Sequence, residues 1–126
     1  MNEKEALQQK RWAVVGANRD REKFGNRIYR RLRERGWEVW PVNPVVDTVE
    51  DDRCYPDLTS LPARPDVVCL VVAPARGLGY VEEAARLGVS ALWLQPGTWD
   101  DALLTRAQAL GLATITACVL VATEQG

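Results

Sequence analysis

The chain has 126 residues, 47 % of them hydrophobic and 26 % charged, which suits one domain with a single sizeable core and is too short for two. Its longest apolar run, Val67 to Ala75, falls far short of a membrane span, and its three cysteines, Cys54, Cys69 and Cys118, lack CxxC spacing, so a cytoplasmic chain without a signal peptide or metal site is expected. There is no histidine, and neither of the two serines, Ser60 and Ser90, sits in a G-x-S-x-G elbow, which removes most familiar hydrolase chemistries.

The net charge of −1 hides an asymmetry. Residues 1–35 carry eleven Lys/Arg against five Asp/Glu, with the excess concentrated from Arg19 to Arg35, while residues 36–126 carry five against twelve. Such a distribution suggests an anionic partner at one end of the fold. Arg30, Arg31, Arg33 and Arg35 also suit a solvated helix face.

In chain order, Asn2–Lys10 reads as an amphipathic helix, followed by a buried strand at Trp12–Val15. A long loop, Gly16 to Gly25, leads into a helix over Asn26–Arg35 with Ile28, Tyr29 and Leu32 on one stripe and Gly36 as its stop. A second strand is expected at Val39–Val42. The Asp- and Pro-rich stretch Asp47–Pro65 reads as a reduced crossover, with a short strand at Arg53–Tyr55 and a helical turn at Asp57–Leu61. A third strand at Val67–Val72, a helix at Gly77–Leu87, a fourth strand at Ala91–Leu94, a helix at Trp99–Leu110 and a fifth strand at Leu112–Thr116 complete the pattern. The strands are nearly continuous in hydrophobicity, as strands covered on both faces must be. Their alternation with helices implies an α/β, Rossmann-like, doubly wound fold with a five-stranded, mainly parallel sheet and helices on both faces.

In such a sheet a ligand binds beyond the carboxyl ends of the strands, near the point where strand order reverses. The loops at that edge are Gly16–Gly25, Asn43–Pro44, Ala73–Arg76, Gln95–Thr98 and Ala117–Cys118. Among the helix starts, Thr98-Trp99-Asp100-Asp101 carries its own acids and would repel an anion. Phe24-Gly25-Asn26-Arg27 carries none and follows Arg19, Arg21 and Lys23, so it is the expected anion site. The glycines do not form G-x-G-x-x-G, no acid follows the second strand to hold a ribose, and no G-x-x-x-x-G-K-[ST] is present. NAD and ATP are therefore disfavoured, whereas a nucleotide with a phosphorylated ribose suits Asn43 and the nearby arginines; NADP stays open as an alternative.

The set GAN, FGN, PVNP, CYPDLTSLP, VAP, VEEA, LGV and ALWLQPG resembles the small stand-alone coenzyme A-binding domain proteins, which are similar to the nucleotide-binding domain of the succinyl-CoA synthetase alpha subunit. The resemblance covers about residues 7–121. It implies that coenzyme A is the ligand, with Gly16, Ala17, Asn18 and Arg19 along the pyrophosphate and Gly25 and Asn26 giving backbone amides, next to Lys23 and Phe24. It also implies that Val42, Asn43 and Pro44 border the adenosine, that Ala73 and Pro74 form the opposite wall, and that Gln95, Pro96 and Gly97 lie towards the pantetheine. Where family members commonly carry Ser after Gly-Ala and an acid in the third strand, this chain has Asn18 and Cys69.

The synthetase reaction needs a phosphorylated histidine, which this chain lacks, so a non-catalytic binding module is expected, with an enzyme acting on a CoA thioester as the alternative. Cys118 ends the last strand at the ligand edge, where it either meets the CoA thiol in a mixed disulfide or serves as a small core residue. Glu82 and Glu83 are expected to be solvated, Trp12, Trp37, Trp40 and Trp93 to lie in the core or at the sheet edge, and Trp99 is considered for ligand or partner contact. Nucleic acid and membrane are not expected as partners. A second copy of the chain or a protein partner stays open.

Overall fold

Strand β1 (Arg11–Val15) lies between β2 (Glu38–Val42) and β5 (Val67–Leu70), and β6 (Ala91–Leu94) and β7 (Ala113–Thr116) extend the sheet on the far side of β5. This computed structural model describes residues 1–124. All four pairings are parallel, and the order β2-β1-β5-β6-β7 reverses direction between β1 and β5. The fold is α/β and Rossmann-like, and its switch point lies at the carboxyl ends of those two central strands.

Period-two alternation within each strand separates two hydrophobic layers. Trp12, Val14, Cys69 and Trp93 face helices α1 (Glu3–Leu7), α2 (Phe24–Glu34) and α5 (Val119–Ala122). Ala13, Val15, Val68, Leu70, Leu92 and Leu94 face α3 (Pro74–Leu87) and α4 (Asp101–Ala109). Trp12 anchors the first layer, with ring centroids 5.3 Å from Trp37 and 5.5 Å from Trp93. Both buried indoles find an acceptor: Trp12 Nε1 donates to Gln9 O and Trp93 Nε1 to Ala117 O, each at 2.9 Å. The latter bond fixes the turn that leads from β7 into α5. Trp99 packs on the second layer.

Several element boundaries differ from the sequence reading, each for a local reason. Helix α3 begins at Pro74 instead of Gly77, because proline at the first helical position gives up only an N–H that has no intrahelical partner. The preceding strand accordingly ends at Leu70, before the expected Val72. Helix α4 is capped by Asp100, whose side chain accepts from Leu103 N at 2.8 Å, while Thr98 Oγ1 turns inward to Gln95 O at 2.7 Å. Helix α1 is shorter than expected, closed at its start by a reciprocal Asn2–Glu5 capping box. Helix α5 was not anticipated.

The segment after β2 forms an antiparallel hairpin, β3 (Thr48–Val49) and β4 (Asp52–Arg53), instead of a strand at residues 53–55; Tyr55 adds a single parallel bridge to Val42. Its turn, Glu50-Asp51, has positive φ at both residues (50° and 66°), an unfavourable conformation for side chains without a compensating hold. That hold comes from α2 and the loop before it. Glu50 Oε2 accepts from Asn26 Nδ2 at 3.1 Å and pairs with Arg21 at 3.4 Å, Glu50 O accepts from Arg33, and Asp52 binds both Tyr29 OH and Arg33 Nη1. Burial first, then the hydrogen bond to Asp52, pushes the Tyr29 phenol well above its ordinary value, so the latch keeps its proton throughout the neutral range.

Glu83 is not solvated. It is 8 % exposed and its carboxylate collects Leu58 N at 3.0 Å, Thr59 N at 2.9 Å and Thr59 Oγ1 at 2.6 Å, tying the turn before β5 to α3. Glu83→Ala is expected to cost about 3 kcal/mol, because three donors to a charged acceptor lose their partner at once, and urea denaturation measures it. Glu82, by contrast, is on the surface and pairs with Arg106 at 2.6 Å.

Candidate functional site

The sheet's carboxyl edge opens at the β1/β5 switch point into a cleft of about 470 Å³, within the size range of ligand pockets. The loop after β1 supplies Gly16, Asn18 and Lys23, and the first turn of α2 supplies Phe24 and Gly25. Asn43 closes one end. The chain between β5 and α3 gives Val71, Val72, Ala73 and Arg76, and the loop after β6 gives Gln95, Pro96, Gly97 and Thr98, with Cys118 behind them.

Two glycines make the cleft. Gly16 has φ of +97°, and a Cβ there would lie 2.8 Å from Val71 O, so the end of β1 passes directly against the end of β5. A Cβ on Gly25 would be driven into the carbonyl oxygen of Gly16. The start of α2 therefore sits on the end of β1 with no side chain between them.

The electrostatics of this cleft are one-sided. Lys23 and Arg76 line it, and no carboxylate does. Helix α2 has no side-chain cap and no acid in its first turn, and none of the amides of Phe24, Gly25 and Asn26 donates to a protein acceptor among the described residues. Helix α3 also lacks an acid and a side-chain cap, but it is the poorer of the two: Pro74 has no N–H and Arg76 N is bonded to Ala73 O. The Gln95–Thr98 wall leads to α4, whose start is occupied by Asp100.

The residues singled out from sequence divide into three groups. Gly16, Asn18, Lys23, Phe24, Gly25, Asn43, Ala73, Gln95, Pro96 and Gly97 line one cleft. Ala17, Asn26 and Val42 are fully buried beneath it, and Pro74 starts α3 at its rim. Arg19 and Pro44 lie apart: the Arg19 guanidinium is held on the hairpin by Thr48 O at 3.1 Å, and Pro44 is exposed outside the cleft. Arg76 and Thr98 belong to the carboxyl-edge loops expected to build the site but were not singled out as ligand residues, and Val71 and Val72 were read at the end of the third strand.

The basic run also has internal duties. Arg21 and Arg33 pair with hairpin acids, Arg30 Nε donates to Asn26 Oδ1 at 2.6 Å, and Arg31 and Arg35 donate to Leu120 O and Thr123 O at 3.0 and 3.1 Å. These arginines brace the hairpin and the end of α5, although only Arg21 and Arg33 meet an acid. Lys23 and Arg76 are the cations that line the cleft.

Cys118 is half-buried at the back wall. Burial raises its thiol, but Gln95 Nε2 at 3.5 Å, the amides of Val121 and Leu120 and the charge of Arg27 outweigh that and bring it below its ordinary value. Cys69 and Cys54 are shifted the other way, chiefly by burial. Iodoacetamide labelling followed by mass spectrometry is therefore expected to modify Cys118 first, with a pH midpoint below that of a free thiol. Equal labelling of all three cysteines in the folded chain would contradict the packing described.

Comparison with known proteins gives the chain its family and fold relatives. Residues 10–124 match the family model described as a CoA binding domain. A hypothetical protein from Pyrococcus horikoshii OT3 superposes with a TM-score of 0.89 at 32 % identity, covering 94 % of this chain and 84 % of that one. A conserved hypothetical protein from Pyrococcus furiosus gives 0.85 at 36 % identity, covering 90 % and 99 %. The ADP-forming acetate–CoA ligase II of Archaeoglobus fulgidus is 34 % identical over 80 residues, 61 % of this chain but 12 % of the ligase, so the chain spans about an eighth of that relative's length. No helix of the described residues is long and apolar enough to cross a membrane. With nearly its whole length covered by the family model, the chain belongs to the CoA binding domain family.

Proposed function

We propose that this chain binds coenzyme A non-catalytically in the switch-point cleft, its diphosphate on the free amides of Phe24, Gly25 and Asn26. The observation that carries this reading is a cleft with two cations, no carboxylate and an uncapped helix start at its mouth. Gly16 and Asn18 run along the diphosphate with buried Ala17 beneath them, Asn43 borders the adenosine with Val42 beneath it and Pro44 outside the cleft, and Ala73 and Pro74 form the opposite wall. Gln95, Pro96 and Gly97 flank the pantetheine arm. The cationic role expected of Arg19 passes to Lys23 and Arg76, since Arg19 is engaged by Thr48.

Parallel calorimetric titration with CoA, acetyl-CoA, NADP, NAD and ATP tests the ligand. CoA and acetyl-CoA are expected to bind and NAD and ATP to bind far more weakly; tighter binding of NADP than of CoA would overturn the reading. The non-catalytic part has its own check. Incubation with acetyl-CoA, ADP and phosphate is expected to leave the thioester intact, and release of free CoA thiol at enzymatic turnover would make the chain a catalyst instead.

A further inference from the structure

Two asparagine side chains beside the cleft grip the loop after β1 by consecutive carbonyls. Asn43 Nδ2 donates to Ala17 O at 2.9 Å, and Asn26 Nδ2 donates to Asn18 O at 2.8 Å. The orientation of each carboxamide is set by its other end: Asn43 Oδ1 accepts from Val45 N at 2.9 Å, and Asn26 Oδ1 accepts from Arg30 Nε at 2.6 Å. A flipped carboxamide would oppose donor to donor and acceptor to acceptor in both places.

No peptide bond here is cis, and across a trans peptide the carbonyl and the N–H that follows it point opposite ways. Fixing Ala17 O and Asn18 O therefore fixes the amides of Asn18 and Arg19 on the other side of the loop. Neither amide donates to a protein acceptor among the described residues. Asn18 lines the same cleft as Phe24 and Gly25, whose amides are likewise without a protein acceptor among the described residues, and Arg19 follows it just outside. Successive free amides with one orientation make an anion-binding concavity.

The geometry points to Asn43 and Asn26 as positioning residues for the anion cradle: they hold the Gly16–Lys23 loop with its amides presented, and do so through its carbonyls, not through contact with the diphosphate. This rests on the proposed CoA reading and deepens it. It assigns Asn43 to the diphosphate loop, where the family resemblance alone implies a border of the adenosine. Asn26 has a further duty. It is fully buried and also donates to Glu50 Oε2, so the same side chain ties the cradle to the β3–β4 hairpin.

Asn43→Ser tests the assignment, because a serine hydroxyl keeps an acceptor for Val45 N and is too short to reach Ala17 O. CoA, dephospho-CoA and inorganic pyrophosphate are titrated into wild type and variant, with backbone amide spectra recorded on both free proteins. The expected result is a loss of about tenfold for all three ligands, a displaced Asn18 amide signal before any ligand is added, and an unchanged preference between CoA and dephospho-CoA. Affinities within twofold of wild type would overturn the assignment, as would a loss confined to CoA, which would put Asn43 on the 3′-phosphate. Should wild type bind pyrophosphate but not CoA, the CoA reading fails while the positioning role is still decided by pyrophosphate. Wild type binding neither overturns both.

Discussion

Gly25→Ala is expected to abolish CoA binding and to destabilise the fold by about 3 kcal/mol, in the range of an overpacked core position but acting on backbone. The added methyl meets the carbonyl oxygen of Gly16 at the contact between the start of α2 and the end of β1. Neither group is the tip of a flexible side chain, so the helix must lift away from the strand, taking the Phe24–Asn26 amides with it. Gly79→Ala is the matched control. It lies in α3 with nothing within 4 Å of the new Cβ, and alanine in a helix interior is favoured over glycine by roughly 0.5–1 kcal/mol, so this variant is expected to gain stability and keep affinity. Urea denaturation and CoA titration of the pair separate crowding at one contact from a general effect of added methyls.

Lys23→Glu should separate affinity from stability in the opposite sense. Lys23 is the N-cap residue of α2 and lines the cleft, and it makes no side-chain hydrogen bond to the helix. Replacing its positive charge by a negative one removes an attraction for the diphosphate and adds a repulsion. CoA affinity is expected to fall about a hundredfold, which is about 2.7 kcal/mol. The same carboxylate at the helix's positive end favours the fold by about 0.3–1 kcal/mol. Loss of binding with unchanged or raised Tm is the expected signature. Loss of both together would mean that Lys23 holds the fold and not the ligand. Because the affinity is electrostatic, wild-type binding should also weaken with added salt more steeply than binding by the variant.

The architecture was legible because parallel strands buried on both faces leave continuous apolar runs. Trp12–Val15 and Ala91–Leu94 fall within or on the observed strands, and each intervening helix ends beside the glycine that marked it. The carboxyl-edge loops followed from that alternation. What stayed hidden depended on pairwise contacts that no local pattern encodes. The hairpin at residues 48–53 was obscured because its turn is Glu50-Asp51, not a glycine or asparagine pair, and is held by Asn26 and Arg21 from elsewhere in the chain. Glu83 looked like any other helix acid. Only the turn at Leu58–Thr59 folding over it reveals a buried carboxylate with three donors.

The charge pattern supported two readings, an anionic partner and a solvated helix face. A run of arginines in an anion-binding region invites assignment to the ligand, yet Arg21, Arg30, Arg31, Arg33 and Arg35 are engaged by hairpin acids, an asparagine and carbonyls of the protein itself. The start of α2 is as free of acids in the fold as in the sequence. Net charge counts residues, whereas a binding site depends on which of them remain uncommitted after folding.

An amide-resolved NMR titration with CoA reads whether a diphosphate rests on the uncapped start of α2. The largest shifts are expected at Phe24, Gly25 and Asn26 and in the Gly16–Arg19 loop, with smaller ones at Ala73–Arg76 and Gln95–Gly97. Shifts centred instead on the surface depression beside Arg27, Arg31 and Leu120, with the Phe24–Asn26 amides unmoved, would contradict that placement.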